Sequence, residues 1–384
     1  MVNQQDLAFL AAFSDAANAH DVERIVDYYA PDAVAISPVF GEVRGRAAIA
    51  QTWEQIFITM PDARISVSDV LKDDQRIALI ATMTATDHVG WFGLQPTGGQ
   101  IIYRVIILLT CLDSKIVREE RVYDLANVRQ GLEKARIDAE LNLAAEVQRA
   151  LLPRNVYRLS YCEVAGASTP SRQIGGDFYQ FIDLPNGEIG IALGDVSGKG
   201  PAAAILAAMI QGVLAVGCRS GQDPSQTLAG VNAAIMALQL ETRFVTMIYG
   251  ILNASGKFVY ANAGHAQPFL VTEGRLSRLA AGDLIAGLFG DATFPNHVVE
   301  LRPGNSIVMF TDGVTDATNS AGENFGEDRL SEHLKSSQDL QPSELLRRLL
   351  ARVHQFVGDT ELADDLTLLA LKFSGVPRKA HLTH

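Results

Sequence analysis

"IALGDVSGKGPAAA", residues 191–204, is the stretch on which the reading of this chain turns. Its glycines, lysine and small-residue run suggest a loop that wraps a nucleotide phosphate. The spacing excludes that. A Walker loop needs Gly, four residues and then Gly-Lys-Ser/Thr. Here three residues separate Gly194 from Gly198, and Gly200 follows Lys199. No G-x-G-x-x-G opens the next helix, as a dinucleotide turn requires. What remains is an apolar strand, Ile189 to Leu193, that delivers Asp195 into a glycine turn before an alanine-rich helix. A carboxylate at a strand end is well placed to ligate a metal.

Other aspartates recur in the same kind of context. Asp177 follows two glycines in "QIGGDFYQF", and Asp312 follows the apolar "SIVMF" and precedes Gly313. Asp364 and Asp365 stand directly before the strand-like "LTLLALKF". Singly, an Asp-Gly is a turn and a "DD" is a solvated loop. Together they read as a convergent oxygen-ligand set without a His/Cys cluster, which favours magnesium or manganese over zinc or copper. Several carboxylates meeting would repel one another unless cations neutralised them, so a two-metal centre accounts for their coexistence.

These residues sit in a recognisable series. "LNLAAEVQRALLP" (141–153), "IGGDFYQF" (174–181), "GDVSGKGPAAA" (194–204), "FVTMIYGILNASGKFVYANAGHAQPFLV" (244–271), "FTDGVTDATNSAGENFGEDRL" (310–330) and "ADDLTLL" (363–369) follow one another in order. The series resembles PPM-type serine/threonine phosphatases, in the bacterial branch typified by SpoIIE and RsbU. The resemblance implies an αββα sandwich over 156–375, two Mn²⁺ or Mg²⁺ ions, and a water that attacks phosphoserine or phosphothreonine. It implies that Asp195 bridges both ions, helped by the Val196 carbonyl, with Asp312 and Asp364 on one ion, Asp177 on the other, and Asp365 as a further candidate ligand. It also implies a phosphorylated anti-sigma-factor antagonist as substrate. Arg172, five residues before Asp177, stands where eukaryotic relatives place a phosphate-binding arginine. The histidine of the eukaryotic Asp-Gly-His-Gly is absent from Asp195-Val196-Ser197-Gly198. His265 is a candidate proton donor in its place, or a structural residue closing a turn, and Lys199 can be read as a solvated turn residue.

Residues 1–125 read as helices followed by hairpin-linked strands, an α+β pattern. Alternating runs flank "LKDDQ" and "LDSK", which predict hairpin turns. "YYAPDAVAISP" (28–38), "GRAAIAQTWEQIF" (45–57) and "WFGLQPTGGQIIYRVIILLTCLDSKIVREERVYD" (91–124) resemble the SnoaL-like, ketosteroid-isomerase-like cone. That resemblance implies a pocket for a small molecule, with Asp124, His88 and Asp87 as candidate polar groups, and a sensor or dimerisation role. Between the domains, 126–155 is a predicted helical linker. Leu125, Val128, Leu132, Ala135 and Ala139 keep a heptad-like spacing that drifts toward Leu143, Val147 and Leu151, as a four-residue insertion produces. It reads either as a solvated helix or as a short coiled coil pairing two chains into a homodimer.

Composition bounds the alternatives. The 384 residues suffice for two or three domains, and 48% hydrophobic with 20% charged residues is globular rather than disordered. A net charge of −12 argues against nucleic acid or an anionic membrane as partner. Cys111, Cys162 and Cys218 form no CxxC, which fits a reducing cytoplasm. The N-terminus has no basic n-region, so a secretory signal is not expected. "PAAAILAAMIQGVLAVGC" (201–218) approaches membrane-span length but reads as a buried helix, and the tail 376–384 reads as frayed. Two other functions stay open: a catalytically idle partner-binding regulator, and a SnoaL-type enzyme regulated by its phosphatase half.

Overall fold

The computed structural model describes residues 4–90, 95–240, 243–282 and 284–375. Trp91 and Phe92 of the "WFGLQ" stretch and the tail 376–384 lie outside the described residues. The chain forms two compact units, Met1–Glu140 and Leu141–His384.

In the first unit, α1 (Gln4–Asn18), α2 (Val22–Val26), β1 (Tyr29–Ser37), β2 (Gly41–Arg44) and α3 (Arg46–Thr59) precede β3 (Arg64–Asp73), β4 (Arg76–Thr86), β5 (Gln100–Leu112) and β6 (Lys115–Val122). The sheet order is β2-β1-β6-β5-β4-β3, antiparallel except for the parallel pair β1–β6. The hairpin turns fall where the sequence places them. Asp74 (φ 52°), Asp113 (φ 47°) and Ser114 (φ 61°) take the left-handed conformation that tight hairpins demand. Along β4, Ile77, Leu79, Ala81, Met83 and Ala85 are buried at every second position, so one face of the sheet turns inward. The helices close over that face with Phe13, Tyr29, Ile49 and Trp53 buried among its residues. This is the α+β cone.

Helix α4 runs from Leu125 to Leu151. Its two parts behave differently. Val128 and Leu132 belong to the first unit's core, whereas Leu143, Val147 and Leu151 are exposed.

In the second unit, β7 (Val156–Leu159), β8 (Cys162–Thr169), β9 (Phe178–Asp183) and β10 (Ile189–Val196) lead to α5 (Pro201–Arg219) and α6 (Pro224–Ala237). Then come β11 (Val245–Leu252), β12 (Lys257–Ala263), β13 (Phe269–Thr272), β14 (Arg275–Arg278), β15 (His297–Glu300) and β16 (Ser306–Phe310). The chain finishes with α7 (Asp312–Thr315), α8 (Gly326–Ser336), α9 (Pro342–Val357) and β17 (Leu366–Phe373). Two antiparallel sheets result, β15-β12-β11-β10-β9 and β14-β13-β16-β17-β8-β7. Tyr179, Ile191, Leu193, Ile248, Met309 and Leu369 fill the space between them. Helices α5 and α6 cover the first sheet, and α8 and α9 the second. The order is αββα.

Helix α5 is long and apolar enough to cross a bilayer by length alone. Its Ala203, Leu206, Ala207, Ile210 and Leu214 instead enter the core of the first sheet, while Ile205 and Val216 are exposed.

Candidate active site

The candidate ligands come from four chain segments that the two sheets bring together. Asp195 is the penultimate residue of β10, where its strand partner on β11 is Thr246. Asp312 opens α7 directly after β16. Asp364 and Asp365 precede β17, which pairs with β16. Asp177 precedes β9, which pairs with β10.

Glycines allow these segments to touch. A Cβ on Gly313 would stand 2.1 Å from the Asp365 carbonyl oxygen, and one on Gly176 would stand 2.7 Å from that of Val196. Neither gap admits a side chain, which is the physical reason for glycine beside each aspartate.

The carboxylates repel one another. Burial and then the charges of Asp312 and Asp364 push the Asp195 carboxyl up to about 7. Asp177 is 6% exposed. Burial first, then the charge of Asp195, hold its carboxyl well above the usual carboxylate range. Burial and Asp364 raise Asp312 as well. Thr311, fully buried, partly offsets this by donating from Oγ1 to Asp177 Oδ2 at 2.7 Å. Raised carboxyls sharing one site are what mutual repulsion in a poorly solvated pocket produces.

Asp365 differs from its expected place among the ligands. Its Oδ1 accepts hydrogen bonds from Ser171 N (2.7 Å) and Oγ (3.0 Å), and its Oδ2 from Gly176 N (2.8 Å). This carboxylate holds the 171–177 segment. Asp364 accepts a bond from the Asp365 backbone N at 2.9 Å and faces Lys199, whose Nζ lies 2.9 Å from its Oδ2. Lys199 also donates to the Ala363 carbonyl. The lysine is therefore a cation among the candidate ligands and not merely a solvated turn residue.

Does the donor set suit divalent ions? Among the described residues, no three Asp, Glu, His or Cys side chains form a group that could hold an ion as they stand. Magnesium, however, is commonly held by one or two carboxylates, with waters completing its shell. The available donors are all oxygen, and a cation of the protein's own already stands among them at Lys199. The chemistry fits.

The remaining expected residues fall as follows. Arg172 is exposed and makes no hydrogen bond among the described residues, although its neighbour Ser171 is anchored to Asp365. His265 is buried with its Nδ1 3.0 Å from Thr246 Oγ1, its N–H on Asn262 Oδ1 (2.8 Å) and its carbonyl accepting from Asn262 Nδ2 (3.1 Å). Burial pushes it down to about 4, so it is neutral near pH 7 and serves as the turn-closing residue. In the first unit, Asp124 is exposed and caps α4 through Asn127 N (3.1 Å). His88 is exposed, and Asp87 is spent on Gly90 N, Thr97 N and Thr97 Oγ1. None of the three lines the cavity inside the cone, which corrects the expected pocket. Its polar lining is Ser37, Tyr103, Arg121 and Tyr123.

Two residues at the site escape motif reading. Arg243 donates from Nη1 to the Ser197 carbonyl at 2.6 Å and so fixes the loop after Asp195. Gln148, near the end of α4, accepts from Gly175 N (3.2 Å) and donates to Gly175 O (2.7 Å), gripping the backbone two residues before Asp177. "VQRALLP" carried that signal only as part of a series.

Comparison with known proteins places both units in families. Residues 185–374 match the family profile "Stage II sporulation protein E (SpoIIE)", and 10–119 match the SnoaL-like domain. The phosphoserine phosphatase RsbU of Bacillus subtilis is 31% identical over 242 residues, covering 62% of this chain and 70% of RsbU. Protein IcfG of a Synechocystis species is 26% identical over 60% of this chain and 41% of its own length. The SiaA-PP2C domain of Pseudomonas aeruginosa superposes with a TM-score of 0.54 at 22% identity, over 63% of this chain and 98% of that domain, which speaks to the fold alone. With the RsbU match spanning most of that enzyme, the chain belongs to the SpoIIE/RsbU family of PPM-type protein serine/threonine phosphatases, joined here to a SnoaL-like domain.

Proposed function

We propose that the chain hydrolyses phosphoserine or phosphothreonine on a partner protein of the anti-sigma-factor-antagonist class, in the cytoplasm, with two Mn²⁺ or Mg²⁺ ions. The observation that carries this is the crowd of raised carboxyls around Asp195, with Lys199 as a cation among them. Asp195, the Val196 carbonyl, Asp312, Asp364 and Asp177 would hold the ions. When bound, the ions supply an activated water and offset the charge that builds on the transferring phosphoryl group. Thr311 keeps Asp177 in place, and Asp365 with Gly175 and Gly176 sets the distance of that loop. Arg172, exposed next to the anchored Ser171, is available to take a phosphate oxygen. His265, neutral and tied to Thr246 and Asn262, holds the floor under Asp195.

The test is release of phosphate from p-nitrophenyl phosphate and from a phosphorylated antagonist protein, with and without Mn²⁺. Manganese-dependent turnover that Asp195→Asn lowers by at least about a thousandfold supports the reading. Metal-independent turnover, or full activity in the variant, would sink it.

The same reading includes regulation by the SnoaL-like unit through α4. Support comes from the Gln148 grip on Gly175, which ties the end of the helix to the Asp177 loop. The exposed Leu143, Val147 and Leu151, spaced four apart, support pairing with α4 of a second chain. A dimer lost on Leu143→Glu/Val147→Glu, read by light scattering, is the expected result.

A further inference from the structure

Five large apolar side chains stand in solvent at one place on the phosphatase unit. Met236 near the end of α6, with Leu238 and Leu240 just after it, is joined by Leu288 and Phe289 of the loop between β14 and β15. Each is between 38% and 53% exposed. The loop is fastened to the helix. Asn232, buried on α6, accepts from Gly287 N at 2.7 Å and donates to Phe289 O at 2.9 Å. A Cβ at Gly287 would stand 2.7 Å from Ile235 Cγ2, and one at Gly290 would stand 4.0 Å from Met236 Cε. Helix and loop therefore present one surface, and the backbone on both sides of Leu288 is pinned.

This surface is continuous with the loop that follows Asp195. The same Cβ at Gly287 would lie 3.2 Å from Arg243 O and from Phe244 Cα, and Val245 N donates to Ala286 O at 2.9 Å. Arg243 and Phe244 in turn hold Ser197, two residues after Asp195. Arg243 Nη1 donates to Ser197 O, Phe244 N donates to Ser197 Oγ at 2.9 Å, and Ser197 N donates to Phe244 O at 2.9 Å. An unbroken run of contacts leads from the candidate site to Phe289.

Apolar side chains exposed singly are ordinary, but a fixed cluster of them marks a place where a partner sits. The chain belongs to a family of protein phosphatases, so a protein must cover the surface around Asp195 when it delivers a phosphorylated side chain there. Net charge does not draw that protein in, since this chain carries −12 and a phosphoryl group is itself anionic. None of the five side chains is charged, so contact with them escapes this repulsion. We infer that the Met236–Phe289 surface docks the phosphoprotein substrate by taking apolar side chains that flank its phosphoserine or phosphothreonine. The inference rests on the phosphatase reading and adds to it what selects the substrate.

The probes are two short phosphoserine peptides of equal charge, one with leucines on both sides of the phosphoserine and the other with serines there. Hydrolysis is followed on the full chain with Mn²⁺, and binding by fluorescence anisotropy on metal-free protein, where docking is seen without turnover. The leucine peptide should show KM and Kd about tenfold lower, as burial of one leucine side chain implies. That ratio should hold from about 50 to about 200 mM salt, because apolar contact is not screened. Leu288→Ser/Phe289→Ser should abolish the preference while p-nitrophenyl phosphate turnover stays within about twofold of wild type. Met236→Ser, on the helix side, should reduce the preference to about threefold and covers the case in which the loop variant misfolds. Equal binding of the two peptides, a preference kept in the loop variant, or p-nitrophenyl phosphate turnover lost together with it would each overturn the inference. A smaller mass of the loop variant in light scattering would also overturn it, by giving the surface to a second copy of the chain. Wild type idle on both peptides and on p-nitrophenyl phosphate defeats the phosphatase reading instead, and anisotropy still decides the docking.

Discussion

The two units each bury a cluster of charged groups, and the clusters are built on opposite principles. In the cone, Glu119 is answered by Arg121 and by the Tyr29 hydroxyl, and the pair is neutral. In the phosphatase unit, Asp177, Asp195, Asp312 and Asp364 crowd one another, and the cation among them, Lys199, pairs with Asp364. A compensated cluster supports its own fold. An uncompensated one works against the fold until cations arrive, which is how a site advertises what it binds.

That contrast breaks first at Glu119. Removing it strands Arg121 inside the cone, so Glu119→Ala should lower stability by about 3–5 kcal/mol, measured by urea unfolding of the first unit's transition. A loss below about 1 kcal/mol would mean that the network is not a compensated pair.

His265 sharpens the comparison through pH. Its folded-state value is pushed down to about 4 from 6.5 by burial, so the unfolded chain binds more protons between those values. Its contribution is fully present above pH 6.5 and is lost as pH falls toward 4, by roughly 3 kcal/mol in total. Comparing wild type with His265→Gln across that window isolates the contribution, and parallel curves would refute it.

Asp195→Asn should then act in the opposite sense to Glu119→Ala. In metal-free protein it relieves like-charge repulsion, and stability should rise by about 1–2 kcal/mol while activity disappears. A destabilised metal-free variant would show that the cluster is compensated after all.

The smallest effect belongs to Lys199. Its ion pair with Asp364 is more than a third exposed on both sides, at 37% and 44%. The pair is therefore worth under about 1 kcal/mol. Lys199→Ala should tighten Mn²⁺ binding by no more than about fivefold in calorimetry, because an incoming ion no longer competes with the ammonium. Weaker Mn²⁺ binding by the variant would mean that Lys199 assists the ion.

How much of this was legible beforehand differs between the units. The phosphatase aspartates were readable because each sits beside glycines or at the end of an apolar strand, and backbone crowding leaves no other residue possible at Gly176 and Gly313. The cone's polar groups are not legible in this way. Asp124 and His88 stand out in sequence as isolated polar residues, yet both are exposed. Arg121 hides in "REERV", a run that looks like a solvated strand edge, and only the inward pleat of β6 separates buried Glu119 from exposed Arg118. Asp364 and Asp365 are a case of the same kind, since adjacent aspartates look alike in sequence and only their hydrogen bonds tell them apart.

The sequence by itself determined the two-part order, the strand and helix periods, and the hairpin turns at Asp74 and Asp113. These are local properties, carried by spacing and by the conformations that glycine and aspartate tolerate. Tertiary structure alone decided which carboxylate is held by backbone N–H groups and which is left facing its neighbours, that Gln148 grips Gly175, and that one edge of Arg121 opens on a cavity. Those facts depend on distances between residues remote in the chain, such as Ser171 and Asp365 at 2.7 Å, and no local pattern encodes them.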